Sequence, residues 1–332
     1  MAVEVGDIIG AAEFEDLRAK VVRIIGTPTG TWSINTIGTT AGYFNPLNAV
    51  PVVAEELITA ADWNLLRQDI IRAYVHINGN EPAGDIAMPE LSNNDTVDAV
   101  IYNTWEAVQL QNTNNRNTCH PSQKSLSNAS IGSITTPWNG IQTHVFDMVW
   151  ESENHKKGFF NAGGVLKLSG SASLPNSPED KDTDWANIVA SIGTVEIKNL
   201  SITSNGLGTI KIAQTNGSGV TYAGWWAIDA LPLNTLTKLY TLNAGDVSGF
   251  PNYDENYYEI EVEKISETRY RFTVTFNDAD TGDPGANPGS GVDEDVRTNI
   301  NSNVFVETPS GDYISLPVPV FSEGPSNTLV LA

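Results

Sequence analysis

A single cysteine, Cys119, stands in 332 residues. One thiol forms no intrachain disulfide and completes no multi-cysteine metal site. Positive charge is also scarce: 18 Lys and Arg face 40 Asp and Glu, a net charge of −22. Nucleic acids and anionic membranes are held by clustered Lys and Arg, so both are poor partners for this chain. No apolar run approaches the ~20 residues of a membrane-spanning helix. The start, Met1-Ala2-Val3-Glu4-Val5-Gly6-Asp7, lacks the basic start and apolar core of a signal peptide, which predicts folding in a cytoplasm without export. No P-loop, dinucleotide fingerprint or HExxH occurs. His76, His144 and His155 are scattered, and Cys119-His120 are adjacent, so their side chains do not converge easily on one metal. No catalytic residue is expected.

What the chain does contain first is a repeat. Ile9 to Arg23 aligns without gaps on Ile58 to Arg72. Each copy opens on an N-cap, Gly10 or Thr59, with an acid three positions on. Phe14, Leu17, Val21 and Val22 keep helical spacing, and Trp63, Leu66, Ile70 and Ile71 match them. The first helix is expected to end at Gly26 and the second near Asn78-Gly79. Ser92-Asn93-Asn94-Asp95 is a third, fainter start leading to Val97, Val100, Ile101 and Trp105. The repeated arginines, Arg18 with Arg67 and Arg23 with Arg72, read either as a partner-contact stripe or as a solvated face with local ion pairs. Residues 106–130, rich in Gln and Asn, read as a polar connector.

From about residue 131 the hydrophobic period becomes two. Strands are expected at His144–Trp150, Phe159–Gly170, Val195–Ile202, Ile210–Ala213, Tyr222–Ile228, Leu236–Leu242, Tyr257–Ile265, Tyr270–Phe276, Val304–Val306 and Tyr313–Val320. Ser266-Glu267-Thr268 reads as a hairpin turn. Asp182–Ile192 has helical spacing. In Phe159-Phe160-Asn161-Ala162-Gly163-Gly164 the adjacent aromatics, read as a strand, point to opposite faces, which buries one of them. The fold class is therefore mainly β. An antiparallel sandwich or jelly-roll at 126–322 follows an N-terminal region of short repeated helices at 1–125 and precedes an extended tail at 323–332.

Two site candidates stand out. The acidic loop places Asp278, Asp280 and Asp283 ahead of Asp293 and Asp295, oxygen donors of the kind Ca²⁺ takes; the alternative is a solvated turn. Its glycine comes too early for an EF-hand, and no cofactor is otherwise implied. Trp225 and Trp226 offer a surface for stacking on a sugar, but consecutive strand residues face opposite ways and one belongs in the core.

The helix Ala60-Ala61-Asp62-Trp63-Asn64-Leu65-Leu66-Arg67-Gln68-Asp69-Ile70 resembles repeats in virion structural proteins of marine contractile-tailed bacteriophages. The order Phe159–Gly164, Asp182–Trp185 and Phe276–Pro284 is similar to the β-rich region of the same family. The first helix departs from the pattern with Glu15 where the second has Asn64. The resemblance implies a non-enzymatic particle component, assembled in the host cytoplasm and located in the virion. Its expected position is the tail, baseplate or a fibre, with the neck or capsid surface second. Its expected partners are other virion proteins and further copies of itself. Docking would fall to the helices, through Phe14, Leu17, Arg18, Trp63, Leu66 and Arg67. A host-glycan adhesin is the alternative reading.

Overall fold

The computed structural model describes residues 9–26, 43, 46–52, 57–93, 95–199, 210–215, 218–221, 232–247, 253–279 and 295–323. Among these the chain is mostly β, with two antiparallel sheets and five α-helices.

Helix α1 (Ala11–Val22) begins where Gly10 donates its N–H to Glu13 Oε2 at 2.9 Å. Glycine has no side chain to return the bond, so this is half of a capping box. Helix α2 (Ala60–Asn78) has the full box. Thr59 N–H donates to Asp62 Oδ2 at 2.8 Å, and Asp62 N–H donates to Thr59 Oγ1 at 3.3 Å. It stops at Gly79, whose φ of +82° suits glycine. Helix α3 (Ala99–Asn115) starts from Asp98, not from Ser92, because the Asp98 carboxylate accepts from Ile101 N–H at 2.9 Å. The Ser92–Asp95 signature instead closes a turn, with Ser92 N–H bound to Asp95 Oδ2 at 2.6 Å.

The polar connector expected at 106–130 does not exist as such. Residues 106–115 complete α3, and Lys124–Ile134 form strand β1. Gln109 and Asn112 are buried, and Asn112 Nδ2 donates to the Ile70 carbonyl at 3.0 Å. The stretch Phe159–Gly164 is likewise corrected. Phe159 and Phe160 close a helix, α4 (Glu153–Asn161), and both are buried, whereas a strand would have exposed one. On a helix, consecutive residues lie about 100° apart, close enough for one broad core to take both.

The remaining strands are β2 (Gly140–Val149), β3 (Val165–Ser173), β4 (Thr194–Asn199), β5 (Ile210–Thr215), β6 (Val220–Thr221), β7 (Leu236–Asn243), β8 (Tyr257–Ser266), β9 (Arg269–Asp278), β10 (Asn299–Pro309) and β11 (Val320–Glu323). Helix α5 (Asp180–Ile192) crosses between β3 and β4, as its spacing predicts. One sheet has the order β1-β10-β3-β4-β5 and the other β11-β2-β9-β8-β7-β6. The β8–β9 hairpin turns at Glu267-Thr268, with Ser266 opposite Arg269. Tyr313–Val320 is not a strand: only Ser315 makes a bridge, to Ser310, before β11 begins. Tyr222–Ile228 lies outside the described residues.

Two apolar clusters form. Both sheets and α5 supply the larger, with Phe146, Trp185, Phe272, Phe276 and Val304 among its members. Phe146 and Phe272 stack at 5.0 Å between neighbouring strands. Helices α1, α2 and α3 supply the smaller, which also takes in Ala162, Ile314 and Leu316 from the β-rich part. No described helix is long and apolar enough to cross a membrane.

Candidate functional site

The two clusters meet around His76, Cys119 and Gly163. The last turn of α2 carries His76, which is buried. Its Nε2 lies 2.8 Å from the Ala162 carbonyl oxygen, which only accepts, so Nε2 holds the proton. That leaves Nδ1 as an acceptor, 3.7 Å from the Cys119 thiol. His120 N–H donates to the His76 carbonyl at 2.9 Å. Tyr43 packs its ring 4.7 Å from the imidazole and donates its hydroxyl to the Arg116 carbonyl at 2.7 Å. Gly163 explains why the turn after Phe160 is built of small residues. Its φ is +81°, and a Cβ there would lie 2.7 Å from the Cys119 backbone nitrogen.

The chemistry of this pair is silent at neutral pH. Burial pushes the Cys119 thiol up to about 12 and the His76 imidazole down to about 4. The Ala162 hydrogen bond works against the fall of His76 without offsetting it. Thiolate is the nucleophilic form, and a neutral imidazole beside a protonated thiol provides none.

A cavity of about 340 Å³ adjoins the pair, lined by Asn115, Asn117, Cys119, Lys198, Asn199 and Glu307 among others. Its charges are spent on one another. Lys124 Nζ reaches Glu307 Oε2 at 2.9 Å, Glu307 also binds Lys167, and Lys167 lies 3.5 Å from Glu196, which binds Lys198. Burial disfavours the charge on Lys167, but Glu307 and Glu196 outweigh it and hold its pKa above the ordinary value. Burial also disfavours the charge on Glu307, and there Lys167 and Lys124 win, drawing the carboxyl below its ordinary range. The result is a ladder of alternating charge from β1 to β4. A second cavity of about 450 Å³ lies on α2, between Arg67, Arg72 and Tyr313.

The residues expected to dock a partner are placed inside the chain. Phe14, Leu17, Trp63 and Leu66 are buried among α1, α2 and α3, with Phe14 and Trp63 edge to face at 5.0 Å. Arg18 is buried as well, donating Nε to the Ala49 carbonyl at 3.3 Å and pairing with Glu15. Arg67 Nε donates to the Met88 carbonyl, and Arg72 reaches the Pro46 and Tyr313 carbonyls and Asp69. These three arginines clamp loops onto the helices, Arg18 and Arg72 also make local ion pairs with Glu15 and Asp69, and Arg23 is exposed.

Of the expected calcium ligands, Asp278 points inward. Its carboxylate pairs with Lys181 Nζ at 2.7 Å and accepts from Trp185 Nε1 at 3.4 Å. Asp295 is exposed, and Asp280, Asp283 and Asp293 lie outside the described residues, as do Trp225 and Trp226. Among the described residues no three His, Cys, Asp or Glu side chains stand together to hold a metal. Sequence reasoning missed Lys181. The signal was there: Lys181 falls on the apolar stripe Trp185, Ile188, Ile192 at helical spacing.

No family model, curated protein or solved structure matches the chain.

Proposed function

We propose that the chain is a non-enzymatic structural subunit of a tailed bacteriophage particle. Its place is the tail, the baseplate or a fibre-associated position, with the neck or capsid surface as the alternative. Other virion proteins and further copies of the chain are its partners. In this reading the two sheets form a sandwich of jelly-roll type, and α1 and α2 are copies of one helical repeat.

One observation carries the proposal. The segments that resemble the virion family converge on internal architecture. Asp182 accepts from Arg297 N–H at 2.6 Å and, through its backbone carbonyl, from Thr298 Oγ1 at 2.8 Å, which ties α5 to the approach to β10. Trp185, Phe276 and Asp278 meet beneath them, and Phe159 and Phe160 fill the core beside Trp150. The most distinctive residues of the chain are thus devoted to holding its shape, which suits a building block better than a catalyst. Mass spectrometry and density maps of purified particles test it. The expected result is the chain in stoichiometric amount with ordered neighbours. A chain absent from purified particles overturns the assignment.

A further inference from the structure

We infer that the side chains of Lys181 and Asp278 become joined by an amide bond, with Asp184 as the proton carrier. Lys181 Nζ lies 2.7 Å from Asp278 Oδ2, and both side chains are almost wholly buried. Holding an amine against a carboxyl group removes the entropic obstacle to their reaction. The surroundings are apolar. Trp185 packs against Trp138 at 5.0 Å and Phe276 at 6.1 Å, and all three are buried. Trp185 Nε1 donates to Asp278 Oδ1 at 3.4 Å, so an N–H faces an oxygen that gains charge when Nζ adds to the carboxyl carbon. Asp184 is wholly buried as well, one turn of α5 from Lys181. At that spacing of three, Cβ atoms lie about 5–6 Å apart on one helix face. Its buried neighbour Asp182 is engaged by the Arg297 N–H and guanidinium, which takes it out of the reaction.

The Lys181 ammonium passes a proton to the Asp184 carboxylate, and the amine so freed adds to Cγ of Asp278. Asp184 hands that proton to a carboxyl oxygen of Asp278, then carries a second from the nitrogen to the same oxygen. One N–C bond forms and one C–O bond breaks. An ammonium and a carboxylate become a neutral amide and one water, Asp184 ends as it began, and nothing is oxidised or reduced. Two effects favour the product. The interior loses a pair of charges that are costly to keep out of water, and the water released leaves for the solvent. An ammonium is no nucleophile, so only the minor uncharged form of the pair reacts. The fresh chain therefore folds with the ion pair, and the bond closes afterwards. Once closed, it ties the first turn of α5 covalently to the last residue of β9.

Intact-mass spectrometry of the purified full chain tests this, on fresh protein and after prolonged incubation at neutral pH. Wild type should lose the mass of one water as it ages. Digestion should then yield a branched peptide that joins Lys181 to Asp278, with no tryptic cleavage after Lys181. Chain incubated in denaturant should keep its full mass, because only the fold brings the two groups together. Lys181→Arg should also keep it, and Asp184→Asn should slow the loss by at least about tenfold, the usual reach of a positioned proton carrier being 10²–10⁴. Folded wild type that retains its full sequence mass overturns the inference. So does a lost water that maps to any other residue or persists in Lys181→Arg. An Asp184→Asn variant that is folded by circular dichroism and closes at the wild-type rate overturns the role of Asp184. The readout needs only the isolated chain, so its failure leaves the particle assignment untouched, and the reverse also holds.

Discussion

Lys181 Nζ lies 2.7 Å from Asp278 Oδ2, and both side chains are almost wholly out of solvent. The pair fastens the first turn of α5 to the last residue of β9. Removing one partner of such a pair strands the other charge in a low-dielectric interior, a cost of about 3–5 kcal/mol. Lys181→Met should therefore lower the unfolding free energy by that amount. Lys181→Met combined with Asp278→Leu should recover most of it, since an apolar pair needs no compensation. Urea titrations of the four-member cycle measure both. A single substitution costing under about 1 kcal/mol would show that the pair anchors nothing.

Stability should fall with mild acid through His76, His144 and His155, all three lowered by burial in the folded chain. Burial lowers His76 and His144 from the ordinary 6.5 to about 4 in the folded chain. Between those values the unfolded chain binds more protons, so stability rises with pH across that window. The contribution is fully present above pH 6.5 and is lost as the pH falls to about 4. It amounts to on the order of 3 kcal/mol for His76 and the same for His144. His144 joins the two sheets through Ser302 Oγ at 2.8 Å, and His76 joins the helices to Ala162. Urea midpoints at pH 7 and pH 5 should differ in wild type, and the difference should shrink in His76→Gln. An unchanged difference in that variant would remove His76 from the account.

Two glycines separate backbone strain from crowding. Gly84 has φ +64° with nothing within 4 Å of an added Cβ. Gly84→Ala should cost only the left-handed penalty, roughly 1–2 kcal/mol. Gly163→Ala adds a 2.7 Å clash with the Cys119 backbone nitrogen, which has no side chain to move aside. It should cost distinctly more than Gly84→Ala in thermal unfolding. Equal costs would mean that the Gly163 turn relaxes freely.

Cys119 should be unreactive while the chain is folded. Its thiol is buried and its pKa is raised to about 12. Disulfide-exchange reagents at pH 8 should label it slowly in buffer and at once in denaturant. Rapid labelling of folded chain would show that the thiol is open to solvent and ionises.

Much of this architecture was written locally. The Thr59–Asp62 box, the Gly79 stop and the Glu267-Thr268 turn are each set by residues a few positions apart, and the sequence marks them. The failures share a cause: distant partners overruled local preference. Asn112 is a poor helix former, and it is held in α3 by a carbonyl 42 residues away. Strand β1, Lys-Ser-Leu-Ser-Asn-Ala-Ser-Ile-Gly-Ser-Ile, lacks an apolar alternation because it lies at a sheet edge. Phe159 and Phe160 looked like the beginning of a strand because both rings pack on Trp150, which is itself set by Tyr270 far along the chain. The docking stripe failed for the opposite reason. Helical spacing locates an apolar face, and only the fold says whether that face is already covered.

Ile314 lies in the same apolar cluster as Phe14, although 300 residues separate them (314 − 14). The carbonyls of Tyr313 and Pro317 on either side of it are held by Arg72 and His155. A ribosome adding about 5–20 residues per second takes roughly 15–60 s to travel that distance. For that interval the helical cluster lacks Ile314 and Leu316. The rate at which the helical cluster matures is then tied to translation rather than to helix formation, which takes on the order of microseconds.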